Sequence, residues 1–149
     1  MAKQKIIVTA IVEVLGSPQS HVEDTLKLLL KKIGEGQTWK MLKGQAFEAK
    51  EVKNEKDKTS LWTGFIDIEL EFKRFEDLTG FCFDHYPSSI EIIEPEYLNI
   101  RNNDFSALFN DLSARLHKTH EIVKDVHASN KLLVKQLDEI TSAIKAGKK

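Results

Sequence analysis

LWTGFIDIELEF, residues 61–72, contains the alternation on which the fold turns. Side chains of an extended chain point to opposite faces in turn, so Ile66, Ile68 and Leu70 share one side and Phe65, Asp67, Glu69 and Glu71 the other. A strand apolar on one face and polar on the other belongs to an antiparallel sheet with one face packed and one solvated. Just before it, WKMLKGQAFEAKEVK (39–53) is a weaker strand candidate, and the charged NEKDKTS (54–60) joins the two as a hairpin turn.

Towards the N-terminus, KIIVTAIVEVLG (5–16) is rich in β-branched residues and places Val8, Ala10, Val12 and Val14 on one face, as a strand does. It is followed by GSPQSHVEDTLKLLLKKIGEG (16–36). Here Ser17 is the expected N-cap and Pro18 the first helical residue, Val22, Leu26, Leu29, Leu30 and Ile33 form an apolar stripe, and Gly34 and Gly36 end it. Towards the C-terminus, Glu76 and Asp77 suit the positive start of a short helix over FEDLTGFCFDHY (75–86), closed by Pro87. SSIEIIEP (88–95) then returns as a strand. The order strand, helix, strand, strand, helix, strand is the α+β, ferredoxin-like βαββαβ arrangement, with both helices on one face of an antiparallel sheet.

The last third follows another rule. Between Phe105 and Ile144 there is no Gly or Pro, and a seven-residue repeat runs without a skip. Phe109, Leu116, Val123, Asn130, Leu137 and Ile144 occupy the a positions, and Phe105, Leu112, Thr119, Val126, Leu133 and Ile140 the d positions. All are apolar except Asn130 and Thr119, the pattern of a long C-terminal coiled-coil-type helix roughly 60 Å in length. Leu108, Ile122 and Val134 lie beside the seam and widen it. Asn130 is the kind of buried polar residue that selects register and oligomer state. The chain is therefore expected to form a head, 1–100, and a helical oligomerisation segment, 101–149, giving a homo-oligomer with a dimer favoured. The competing arrangement breaks the helix at HASN (127–130) and folds it back on its own head.

VEVLGSP (12–18), HVEDTL (21–26) and GFCFDHYPSSIEIIEPEYL (80–98), followed by a long helix containing LSARLH (112–117), resemble a group of short archaeal proteins with no assigned activity. The resemblance implies a ferredoxin-like α+β head and an archaeal cytoplasm, and supplies no catalytic residues.

Chemistry-bearing residues are few. Cys82, the single cysteine, lies on a helical face with Phe75, Leu78 and His85, near the helix C-terminus and beside Asp84, where the field opposes a thiolate. It reads as a small buried hydrophobe, with His85 serving the last helix carbonyls, and no catalytic residue is assigned. His117, His120 and His127 are weak metal candidates, since HxxH without a third ligand is a poor match to a metal site. No cofactor is expected, because none of the seven glycines forms a phosphate-cradling pattern.

Charge narrows the partners. With 22 Lys and Arg against 23 Asp and Glu, no general attraction to nucleic acid or anionic membrane arises. The solvated face of the sheet should carry Glu13, Phe65, Asp67, Glu69 and Glu71, an acidic patch bordered by Ile7 and Ile11, which disfavours RNA and suits a basic protein segment. The longest apolar runs stop well short of the roughly 18 residues of a membrane-spanning helix. A lone cysteine and no visible signal segment lead to an expected cytoplasmic setting. The expected function is a non-enzymatic assembly or adaptor module. The alternatives are an ACT-like sensor of small ligands using the VLGSP turn, and an RNA-associated protein.

Overall fold

The computed structural model describes residues 4–53 and 59–148, so most of the NEKDKTS turn lies outside the described residues. The chain divides into two compact units, Met1–Ile100 and Arg101–Lys149. The first contains β1 (Ile6–Gly16), α1 (Gln19–Gly34), β2 (Trp39–Ala46), β3 (Lys50–Lys53), β4 (Ser60–Phe72), α2 (Phe75–His85) and β5 (Ser89–Glu94). Its sheet runs β2-β4-β1-β5, with β3 also paired to β4 and every pairing antiparallel. Taking β2 and β3 as one interrupted strand, this is the ferredoxin-like order.

Strand β4 is central, as its alternation requires. Ile66, Ile68, Leu70 and Phe72 are buried, and opposite them β1 buries Val12, Ala10, Val8 and Ile6. Helix α1 covers this face with Val22, Leu26 and Ile33, and Leu29 and Leu30 pack partly buried beside them. Gly64 admits the helix: a Cβ there would lie 2.5 Å from Leu26 Cδ1. Burying each such aliphatic or aromatic side chain contributes about 1.5–3 kcal/mol, and that burial drives the head to fold.

The helix starts one residue later than the sequence pattern places it. Pro18 rather than Ser17 is the N-cap: its backbone stays extended while its carbonyl accepts hydrogen bonds from the amides of His21 (3.1 Å) and Val22 (3.3 Å). The second strand is interrupted at residues 47–49, between β2 and β3. Side chains of α1 serve that break: Glu23 Oε1 accepts from the Ala49 amide (3.3 Å), and Gln19 Nε2 donates to the Ala49 carbonyl (3.3 Å).

Helix α2 buries Leu78 and Phe81, with Phe75 and Cys82 half-buried against the same core. Phe81 is the residue that the sequence pattern passed over. It meets Trp39 (centroids 5.2 Å apart) and Phe72 (5.8 Å), closing one end of the core with aromatic rings. The helix ends on Tyr86 in the left-handed region, φ 49°, its amide donating to the Cys82 carbonyl at 3.1 Å. A non-glycine residue pays roughly 1–2 kcal/mol there. Since the Tyr86 side chain is 77% exposed, Tyr86→Gly should raise stability by about 1 kcal/mol, read as a higher denaturant midpoint at unchanged slope.

The second unit is one helix, α3 (Asn102–Gly147), unbroken through residues 127–130, so the break considered at HASN does not form. No residue of α3 is buried. Among the described residues no helix is long and apolar enough to cross a membrane.

Candidate functional site

Two surfaces present chemistry. The first is the face of the sheet away from the helices. Pairing between β1 and β4 sets Glu13 opposite Phe65, Ile11 opposite Asp67, Thr9 opposite Glu69 and Ile7 opposite Glu71, bringing all five residues of the expected patch onto one surface. The patch is less uniformly acidic than its sequence, because the neighbouring segments supply lysines. Lys43 Nζ stands 3.5 Å from Glu69 and Lys5 Nζ 3.1 Å from Glu71, whose side chain is only 15% exposed. Glu13 and Asp67 are exposed and make no ion pair among the described residues.

Charge on this face is therefore graded. At one end Lys5, Lys40 and Lys73 surround Glu71 in a depression of about 490 Å³ that also takes in Trp39. Nearer the middle, Thr9, Lys43, Asp67 and Glu69 line a smaller one of about 270 Å³. At the other end two aromatics meet: Phe47 stacks on Phe65, ring centroids 4.7 Å apart and planes 22° apart, while the Phe47 amide donates to the Phe65 carbonyl at 3.0 Å. Sequence reading had one aromatic on this face. Phe47 joins it because the interruption between β2 and β3 holds it opposite β4, and the alternation that places Ala46 inward was the one local signal available. Stacked rings flanked by free carboxylates attract a cation that is also planar or apolar, arginine above all, through ring-face and carboxylate contacts together. The same carboxylates repel phosphate.

The second surface is α3. Ten a and d side chains of its heptad pattern are apolar, and Phe109 (53% exposed), Leu116 (61%) and Leu137 (62%) show how open that stripe is. Asn130 lies in the same unbroken helix. His117, His120 and His127 are exposed on α3; His117 Nε2 lies 3.3 Å from Glu121 Oε1, and no group of three or more His, Cys, Asp or Glu able to hold a metal occurs among the described residues.

Cys82 and His85 of α2 both pack towards the core of the head. Burial pushes the Cys82 thiol up from its ordinary range, away from the thiolate a nucleophile needs. His85 was expected to serve helix carbonyls. It stands in the last turn of α2, its ring packs against Phe81 (4.8 Å) and Trp39 (5.7 Å), and burial lowers its pKa, against the pull of Asp84. The VLGSP turn holds Gly16 at the end of β1, where a Cβ would make ordinary contact with Val22 at 3.4 Å.

Fold and surfaces together define an α+β protein with a ferredoxin-like head, an open sheet face of graded charge and a long C-terminal helix. The chain belongs to the MJ0538 family, whose model matches residues 7–144 and so takes in nearly all of both units. That family's name assigns no activity. No curated protein and no solved structure matches the chain.

Proposed function

We propose that this protein is a non-enzymatic assembly module: α3 joins copies of the chain into a parallel homo-oligomer, and the open sheet face of each head receives a basic, amphipathic segment of a protein partner. The observation that carries the reading is α3 itself, 46 residues of unbroken helix with an apolar stripe interrupted only by Thr119 and Asn130, and with no buried residue. A polar helix could stand alone in water. One with Leu, Ile, Val and Phe at nearly every a and d position gains by covering them, and a matching stripe on a second copy is the complementary surface.

The partner half of the reading rests on the Phe47–Phe65 stack between Glu13 and Asp67. Reversing Glu69 and Glu71 would confuse the test, because Lys43 and Lys5 already engage them. Glu13→Lys combined with Asp67→Lys changes the two free carboxylates. Against an array of Arg- and Lys-rich amphipathic peptides, the wild-type protein should retain a subset whose binding weakens with added salt, and the double variant should bind that subset about tenfold or more weakly. Equal binding by the two proteins would return this face to an ordinary solvated sheet surface.

A further inference from the structure

We propose that the two edges of the sheet recognise each other between copies of the chain, β5 of one head lying antiparallel beside β2 of the next, with Glu94 opposite Lys40 and Glu91 opposite Lys43. The sheet ends at β2 on one side and β5 on the other, and all six residues of β5 are exposed, including Ile90, Ile92 and Ile93. An uncovered strand of this kind presents unpaired backbone groups and apolar side chains, which is the setting for strand addition. What selects the occupant is charge and register.

In β5, Glu91 stands opposite Thr9 and Glu94 opposite Ile7, so both carboxylates lie on the open face, while Ile90 and Ile92, opposite Ala10 and Val8, lie on the helix face. In β2, Lys40 stands opposite Glu71 and Lys43 opposite Glu69, again on the open face, with Met41 and Gly44 on the helix face. Residues three apart in a regular strand would point to opposite sides. Here each strand carries one extra residue, Ile93 between the two glutamates and Leu42 between the two lysines, and each pair shares a face for that reason. The two interrupted edges therefore match in spacing, sidedness and sign.

Direction matches as well. With every pairing in the sheet antiparallel, β5 runs opposite to β2, so a second head continuing the sheet brings its β2 antiparallel to β5. Six residue pairs form, from Ser89 opposite Gln45 to Glu94 opposite Lys40, and Leu42 and Ile92, 37% and 42% exposed in the single chain, come opposite each other. Lys43 has reach to spare, its side chain 80% exposed while it touches Glu69. Charged edges ordinarily prevent sheets from joining. Here β5 beside β5 gathers glutamates and β2 beside β2 gathers lysines, so like edges are kept apart and unlike edges are admitted. A contact between unlike edges is head-to-tail, closing into a ring or continuing as a fibre. It does not depend on α3.

The test is a register-specific cross-link in the full-length chain, with Cys82→Ala as background. Gln45→Cys in one copy and Ser89→Cys in another become directly opposite residues, whose Cα atoms in an antiparallel pair are about 4.5–5.5 Å apart, within reach of a disulfide. Co-expressed with distinguishable tags and mildly oxidised, this pair should link at least about tenfold faster than Gln45→Cys with the likewise exposed control Leu28→Cys on α1. Adding Glu91→Lys and Glu94→Lys to the Ser89→Cys chain should abolish the link, and adding Lys40→Glu and Lys43→Glu to the other chain should restore it. Linking no faster than the control overturns the proposal, as does Ser89→Cys linking mainly to its own kind, which would indicate a two-fold contact through β5. Neither result bears on association through α3, which is read separately by light scattering.

Discussion

Leu116→Glu combined with Leu133→Glu is expected to turn the full-length protein from an oligomer associated through α3 into a chain whose remaining association, if any, is through the head. Leu116 takes an a position and Leu133 a d position, 61% and 57% exposed in the single chain. In a parallel seam each would insert into a hole on the facing helix and lose that exposure. Replacing a buried leucine with a carboxylate forfeits about 2–5 kcal/mol of packing and adds desolvation of a charge facing its own copy. Two such sites per chain exceed the roughly 1.4 kcal/mol per tenfold in affinity many times over, so association should fall by at least about a thousandfold. Light scattering reads the change, and truncation after Ile100 should reproduce it. Asn130→Val should act in the other direction, raising thermal stability while loosening the choice of oligomer state. An intact protein that is monomeric over a roughly hundredfold concentration range would defeat the assembly reading.

Phe72→Ala should cost the head about 3–5 kcal/mol. Phe72 is fully buried at the end of β4, its ring 6.0 Å from Trp39 and 5.8 Å from Phe81, and it joins β2, β4 and α2 through these contacts. Losing it opens a cavity that backbone on three elements would have to close. For a domain of this size about 1 kcal/mol corresponds to roughly 4–8 °C, so the melting temperature of the head should drop by about 12 °C or more. Leu28→Ala is the internal comparison, because a leucine 66% exposed on α1 should change stability by no more than about 0.5 kcal/mol. A fall below about 1 kcal/mol for Phe72→Ala would mean that the aromatic cluster adds little to the fold.

Much of the architecture was legible because it rests on local periodicity. The alternation in β4, the β-branched run of β1, the stripe of α1 and the heptads of α3 each record which side of an element meets water, and hydrophobic burial makes that choice binding. The open-face residues Glu13, Phe65, Asp67, Glu69 and Glu71 followed from the same period of two. Phe81 was missed because helix α2 is short, and a stripe through Leu78, Cys82 and His85 fits its sequence nearly as well as one through Leu78 and Phe81. Only the position of Trp39 and Phe72 decides between them.

Which elements exist, which faces β1, β4 and α1 bury and the uninterrupted length available to α3 were thus determined by the sequence itself, since each depends on neighbours a few positions away along the chain. Tertiary structure alone decided the electrostatics and the outline of the surfaces. It set Lys43 against Glu69 and Lys5 against Glu71, brought Phe47 onto Phe65, and inserted Leu42 and Ile93 as extra residues that turn a lysine pair and a glutamate pair to the same side. These partners come from different segments of the chain, and their meeting depends on strand register; shifting the register by one residue would send every side chain to the other face.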